Sequence, residues 1–185
     1  MKGLLNSLAG LLLAACVAPN SGCAHMPGIG QYCLQPTTSA PAFAVRQQVS
    51  ASFRDQREML IADIENQPEA LNFVGLTPFG LTVFQVNYDN HTAHAVRLPD
   101  SRLSPELMLG MLQLALWPAD AVQRGLGNGA EVQDSPGVRR IVVNSQPVME
   151  LHHDDSPPPF RRMRIDWPAL DMTLDIRALA EQDSP

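Results

Sequence analysis

Ser104-Pro105-Glu106-Leu107-Met108-Leu109-Gly110-Met111-Leu112-Gln113-Leu114-Ala115-Leu116-Trp117-Pro118 carries a complete helix signal and almost no polar face. Ser104 offers an N-cap oxygen, Pro105 suits the first helical position, and Glu106 favours the positive end of the helix dipole. From Leu107 to Trp117 only Gln113 is polar, so the helix must be surrounded on nearly all sides by protein or lipid. Pro118 ends it, because proline has no N–H to continue the ladder. Ala119 to Arg124 then reads as one more short helix, closing at Gly125.

On either side of this insert the period changes to two. Phe43, Val45, Val49 and Phe53 fall on one parity, with Arg46, Gln48, Ser50 and Ser52 on the other, the pattern of a half-buried strand. Met59 to Glu65, Ala70 to Thr77, Leu81 to Tyr88 and His91 to Leu98 follow as strands. The turns between them are short, which predicts an antiparallel meander. Beyond the helices come Arg139 to Val143, Val148 to His152, Arg161 to Trp167 and Asp171 to Ile176. The class is therefore α+β, with strands, a helical insert, then strands.

The N-terminus speaks to location. Lys2 precedes an apolar run from Leu4 to Ala15, and Leu13-Ala14-Ala15-Cys16 closes it. A charged start, a short apolar core and small residues before the cut describe a secretory signal peptide over residues 1–15. The run is too short for the roughly 20 residues that cross a bilayer. Cysteine after Leu-Ala-Ala resembles the lipobox of bacterial lipoproteins and predicts acylation, palmitate included, at Cys16. Cys23 is the rival position, but Asn20-Ser21-Gly22 lacks the aliphatic residue that the pattern wants. Residues 16–42, rich in Pro, Gly, Ser and Thr, are expected to be an acylated cysteine and a flexible linker, leaving 43–182 as the folded domain. A flexible coil of that length would span about 30 Å. With Cys16 acylated, Cys23 and Cys33 are the one possible intrachain pair in an oxidising periplasm, the alternative being two free thiols.

Composition sets further limits. Of 185 residues, 45% are hydrophobic, enough for a core, and the net charge of -6 argues against nucleic acid as a partner. No catalytic constellation, metal site or cofactor motif is expected. There is no Gly-x-Ser-x-Gly elbow, no His-Glu-x-x-His and no phosphate-cradling glycine loop. His152-His153-Asp154-Asp155 reads as a solvated loop leading into Pro157-Pro158-Pro159. On a strand, neighbours such as His152 and His153 would face opposite ways and could not easily share one ion. His91 and His94 are expected to be exposed, and Arg161, Arg162 and Arg164 to be half-exposed strand residues.

Three stretches resemble the outer-membrane lipoprotein receptor LolB and, more distantly, its periplasmic carrier LolA. They are Leu71 to Leu81, containing Leu76-Thr77-Pro78-Phe79-Gly80; Leu103 to Pro118; and the pair Met163 to Asp166 with Met172 to Asp175. Through the Leu-Thr-Pro-Phe-Gly and Gln-Leu-Ala-Leu-Trp-Pro segments the chain resembles more closely still the uncharacterised LolB-like lipoproteins of aryl-polyene biosynthesis clusters. The resemblance implies an unclosed antiparallel β-barrel with a mid-chain helical lid or plug over a hydrophobic cavity. It further implies a periplasm-facing lipid anchor in the outer membrane, acyl or polyene chains as cargo, and a periplasmic carrier protein as a possible donor. The turn Pro78, Phe79, Gly80 would match the receptor's membrane-entering loop, although Phe79 folded back onto the barrel rim is the competing expectation. Expected cavity residues are Phe53, Phe73, Phe84, Leu109, Leu112, Leu116 and Met172. A fully packed scaffold lipoprotein of an envelope or biosynthetic complex is the alternative to a carrier.

Overall fold

A computed structural model describes residues 22–54, 56–98 and 103–179. The signal segment 1–15 and Cys16 lie outside the described residues. A hairpin of β1 (Cys23–Met26) and β2 (Gly30–Cys33) comes first. Then follow β3 (Phe43–Phe53), β4 (Gln56–Asn66), β5 (Leu71–Leu76), β6 (Thr82–Tyr88) and β7 (Ala93–Arg97). Helices α1 (Pro105–Leu116) and α2 (Ala119–Gly125) come next. The chain ends with β8 (Ala130–Ser135), β9 (Val138–Val143), β10 (Gln146–His153), β11 (Arg162–Trp167) and β12 (Met172–Ala178).

Strands β3 to β12 form one ten-stranded antiparallel sheet in the order β7-β6-β5-β4-β3-β12-β11-β10-β9-β8. Two meanders run outward from the central β3–β12 pair, so β7 and β8 are the free edges and the sheet is unclosed. The connection between those edges carries both helices. The protein is thus α+β, as the sequence pattern predicts. Residues of alternate parity line the inner face: Ala62 and Ile64 of β4 are buried, while Glu65 between the faces' rows is exposed. The all-round apolar helix has protein on every side that matters. α1 packs against β1, β6 and β7, and its own Leu109 and Leu114 are fully buried. Ser104 caps it by accepting from the Leu107 N–H at 3.1 Å.

The expectation of a flexible linker over 16–42 fails for the described part of that range. Residues 23–33 form the hairpin, and its Met26, Ile29 and Tyr32 sit in the hydrophobic core. Spacing of prolines and glycines hides this, because a hairpin turn needs the same residues as a coil. Backbone groups of the segment are also claimed by distant side chains. Gln113, the lone polar residue of α1, accepts from the Gln35 N–H at 2.8 Å and donates to the Gln35 carbonyl at 2.8 Å. The Trp167 indole donates to the Pro27 carbonyl at 2.8 Å. Asn66 donates to the carbonyls of Thr37 (3.2 Å) and Pro41 (2.9 Å), and Asn90 accepts from the Thr37 N–H at 2.7 Å.

Two smaller corrections concern the second meander. β8, whose Glu131, Gln133 and Asp134 give little apolar signal, is a strand that the pattern does not reveal. His152 and His153 close β10 instead of lying in a solvated loop, held by pairing to Arg164 and Met163 of β11. His153 stacks on Phe160 with ring centroids 4.0 Å apart, whereas His152 is exposed. The two imidazoles do take different faces of the strand.

Candidate functional site

The β5–β6 turn presents the most exposed large apolar side chain among the described residues. Phe79 is 93% accessible and Leu81 is 68% accessible. The local sequence forces this. The Gly80 N–H donates to the Thr77 carbonyl at 2.9 Å, and the Thr77 N–H donates to the Leu81 carbonyl at 2.8 Å. Pro78 takes the first central position, where its fixed φ fits, and Gly80 takes φ 83°, the left-handed conformation that closes such a loop. The Leu81 N–H also donates to the Thr77 hydroxyl at 3.1 Å. Every turn requirement is met by Thr77, Pro78 and Gly80, so the Phe79 ring contributes nothing to the turn. It points away from the core and does not fold back onto the rim.

The residues expected to line a cavity fall in two different places. Leu109, Leu112, Leu116 and Phe84 are buried in the packed core. Phe84 meets Phe73 edge-on at 4.8 Å. Phe53, at the end of β3, is 40% accessible, and half-buried Met172 pairs with it across the β3–β12 ladder. Met26, Ile29 and Tyr32 of the hairpin share one hydrophobic core with Leu109, Leu112, Leu116 and Phe84, and α1 packs against both the hairpin and β6–β7. Sequence reasoning missed this part of the core because it assigned those hairpin residues to the linker. Their own signal is an apolar Met-x-x-Ile-x-x-Tyr spacing between two cysteines.

The hairpin is keyed into the helices. Tyr32 donates to Gln113 Oε1 at 3.2 Å, and burial pushes its phenol well above the ordinary range. A Cβ on Gly125 of α2 would stand 2.5 Å from the Tyr32 ring and 2.6 Å from the Cys33 carbonyl, so this approach requires glycine. A disulfide joins Cys23 to Cys33 across the mouth of the hairpin, where the two are register partners.

Open concavities mark the surface. One, of about 690 Å³, lies on the outer face over β3, β12, β11 and β10 and is lined by Gln48, His152, Arg162, Arg164, Asp175 and Arg177 among others. Within it Arg164 meets Asp166 at 3.1 Å and Asp175 at 3.2 Å, and Arg177 donates to the Gln48 side-chain oxygen at 2.6 Å. Another, of about 310 Å³, sits by the β11–β12 turn near Arg54 and Asp171. Among the described residues no group of three or more His, Cys, Asp or Glu could hold a metal ion. No described helix is long and apolar enough to cross a membrane.

Fold and surface together define an α+β protein with an unclosed antiparallel sheet, a hydrophobic core shared by the inner face, the helices and the hairpin, and an apolar turn thrust into solvent. The chain belongs to the DUF3261 family of proteins of unknown function, which it matches over residues 44–180. No curated protein matches it.

Proposed function

We propose that the protein is a lipoprotein, anchored through Cys16 in the outer membrane and facing the periplasm, that brings acyl or polyene chains to the bilayer. The exposed Phe79 carries this reading. A phenyl ring held clear of the core at the tip of a rigid turn is a poor structural investment and a good membrane contact, since its burial in an acyl layer gains up to about 1.5–3 kcal/mol. The resemblance to LolB at the same turn supports the same role. No bond is made or broken in this scheme. The work is solvent exclusion, at roughly 0.8 kcal/mol per methylene sheltered. The hairpin and α1 pack into the core with the inner face, so in this reading a chain that enters there does so by moving them aside.

The test uses a soluble Cys16→Ser form and a fluorescent fatty acid. Saturable binding, competed by palmitate, is expected, and Phe79→Glu is expected to stop transfer to vesicles while circular dichroism and melting stay unchanged. The scaffold reading has one observation of its own, the burial of Leu109, Leu112, Leu116 and Phe84 in the core. Native mass spectra showing no co-isolated lipid, together with absence of probe binding, would replace the carrier with that scaffold.

A further inference from the structure

Arg162 of β11 and Arg177 of β12 face each other directly across the ladder. The alternation that buries Met163 and Ile176 on the inner side exposes both arginines on the outer face. Like charges directly opposite on a ladder destabilise a sheet unless something neutralises them. Glu150 and Asp166 also face each other on this face, but each has a cation of its own. Arg140 meets Glu150 at 3.0 Å, and Arg164 meets Asp166 at 3.1 Å. No carboxylate serves the arginine pair. Arg177 donates to the neutral Gln48 side-chain oxygen at 2.6 and 3.2 Å. The Arg162 guanidinium has no hydrogen-bond or ion-pair partner among the described residues.

Both arginines line the outer-face concavity of about 690 Å³, and the two aspartates that line it are already engaged. Asp175 is held by Arg164 at 3.2 Å, while Asp154 accepts from the Ser156 hydroxyl and from the Ser156 N–H at 3.3 Å. His152, also in the lining, meets Glu150 at 3.4 Å. Two guanidinium groups without a counter-ion therefore share one hollow, in a chain whose net charge is -6. The surplus of cation is local. The donors define what would satisfy it. Each guanidinium presents N–H groups in a planar fork that suits two oxygens of one anion. One fork saturates a carboxylate, whereas a phosphate monoester has three terminal oxygens and up to two charges, enough for both forks. Side chains directly opposite on a ladder stand about 4.5–5.5 Å apart at Cβ, so both can reach one tetrahedral group. Ser50, facing Asp175 across the β3–β12 ladder, adds a hydroxyl to the lining.

We propose that Arg162 and Arg177 form a binding site for a phosphate monoester on the outer face of β11 and β12, with Gln48 holding the Arg177 fork in place. The phosphate belongs to a lipid headgroup or to a soluble ester, since the two present the same oxygens to the site. The site lies on the face opposite the core and depends neither on acyl-chain binding nor on the Phe79 turn.

Calorimetric titration of the Cys16→Ser protein with inorganic phosphate and with glycerol phosphate, at low ionic strength, tests it. Saturable binding is expected, and phosphate is expected to raise the melting temperature of the parent. Arg162→Gln and Arg177→Gln should each weaken binding about fivefold, the scale of one exposed ion pair, and the double variant should abolish saturation. Without phosphate, neither change should lower the melting temperature, because each relieves a like-charge pair. Arg57→Gln removes an equal charge from an exposed position of β4 outside the concavity and is expected to leave binding unaltered. Phosphatidylcholine vesicles with and without phosphatidate separate the sources. Partition that needs phosphatidate and fails in the double variant assigns the site to a lipid headgroup, and glycerol phosphate binding with partition indifferent to phosphatidate assigns it to a soluble ester. Equal weakening by Arg57→Gln overturns the site in favour of diffuse attraction. Parent-like affinity in the double variant overturns it too, as does a parent that binds none of phosphate, glycerol phosphate and phosphatidate.

Discussion

Tyr32 and Gln113 are hydrogen bonded at 3.2 Å although 81 residues separate them. The same Gln113 amide serves the Gln35 backbone as a neighbouring strand would, giving one acceptor and one donor. A single polar residue in an apolar helix thereby fixes the N-terminal segment to the core. Gln113→Leu would leave the Tyr32 hydroxyl and both Gln35 backbone groups without partners inside the protein. It is expected to lower stability by about 2–4 kcal/mol, and Tyr32→Phe by only about 0.5–1.5 kcal/mol. Urea unfolding of the two variants checks the ratio, and equal losses would reject the bridging role.

Arg139 of β9 closes the C-terminal end of the same helix. Its Nη1 donates to the carbonyls of Trp117 at 2.7 Å, Leu114 at 3.0 Å and Ala115 at 3.3 Å, the acceptors a helix C-terminus leaves open. Asp134 holds the guanidinium from behind with bonds of 2.7 and 2.8 Å. Arg139→Met is expected to cost about 2–3 kcal/mol, since it strips a buried set of acceptors of their charged donor. Asp134→Asn, at a half-exposed position, should cost much less. Thermal melts of the pair decide this, and a wild-type melt for Arg139→Met would sink it.

The Cys23–Cys33 disulfide closes a loop of sequence separation 10. Chain entropy assigns such a crosslink roughly 2–3 kcal/mol. Reduction, or Cys23→Ser with Cys33→Ser, is therefore expected to lower the melting temperature. The hairpin should nonetheless stay docked at moderate temperature, because Met26, Ile29 and Tyr32 remain buried. Limited proteolysis near residue 28 reports docking, and immediate cleavage on reduction would show that the crosslink alone holds the hairpin.

Acid should weaken the turns. The Ser156 hydroxyl bonded to Asp154 holds that carboxyl below the usual range, and the N–H groups of Thr92 and His91 do the same for Asp89. The Arg124 guanidinium lowers Asp120. A depressed carboxylate stabilises the fold at pH above its unfolded value, about 3.9, and that contribution is lost as pH falls through the folded value. Stability is expected to be level from pH 7 to about 5 and to decline below about 4. Asp154→Asn should make the acid limb shallower, which urea midpoints across pH would reveal, and an unchanged limb would remove Asp154 from the account.

Much of the sheet was legible in the residues. Phe43 to Phe53 alternates because one side faces the core, and Ser104-Pro105-Glu106 marks a helix start through groups that act locally. Phe79 was legible too, since a turn whose geometry is met by Pro78 and Gly80 has no use for the ring between them. The hairpin was not. Met26, Ile29 and Tyr32 sit among glycines and prolines, and no local period shows that Gln113, Trp167 and Asn66 will claim the backbone around them. Arg139 was equally hidden, because a buried arginine on a strand looks the same in sequence as an exposed one.

Residue order alone settled the strand and helix periods, the capped ends of α1 and the shape of the β5–β6 turn, all of which depend on neighbours a few positions away. Tertiary structure decided that residues 23–33 form a hairpin docked in the core and that Arg139 is buried against the end of α1. Those outcomes depend on contacts between residues such as Tyr32 and Gln113, far apart in the chain, and on the pairing order that sets β3 beside β12.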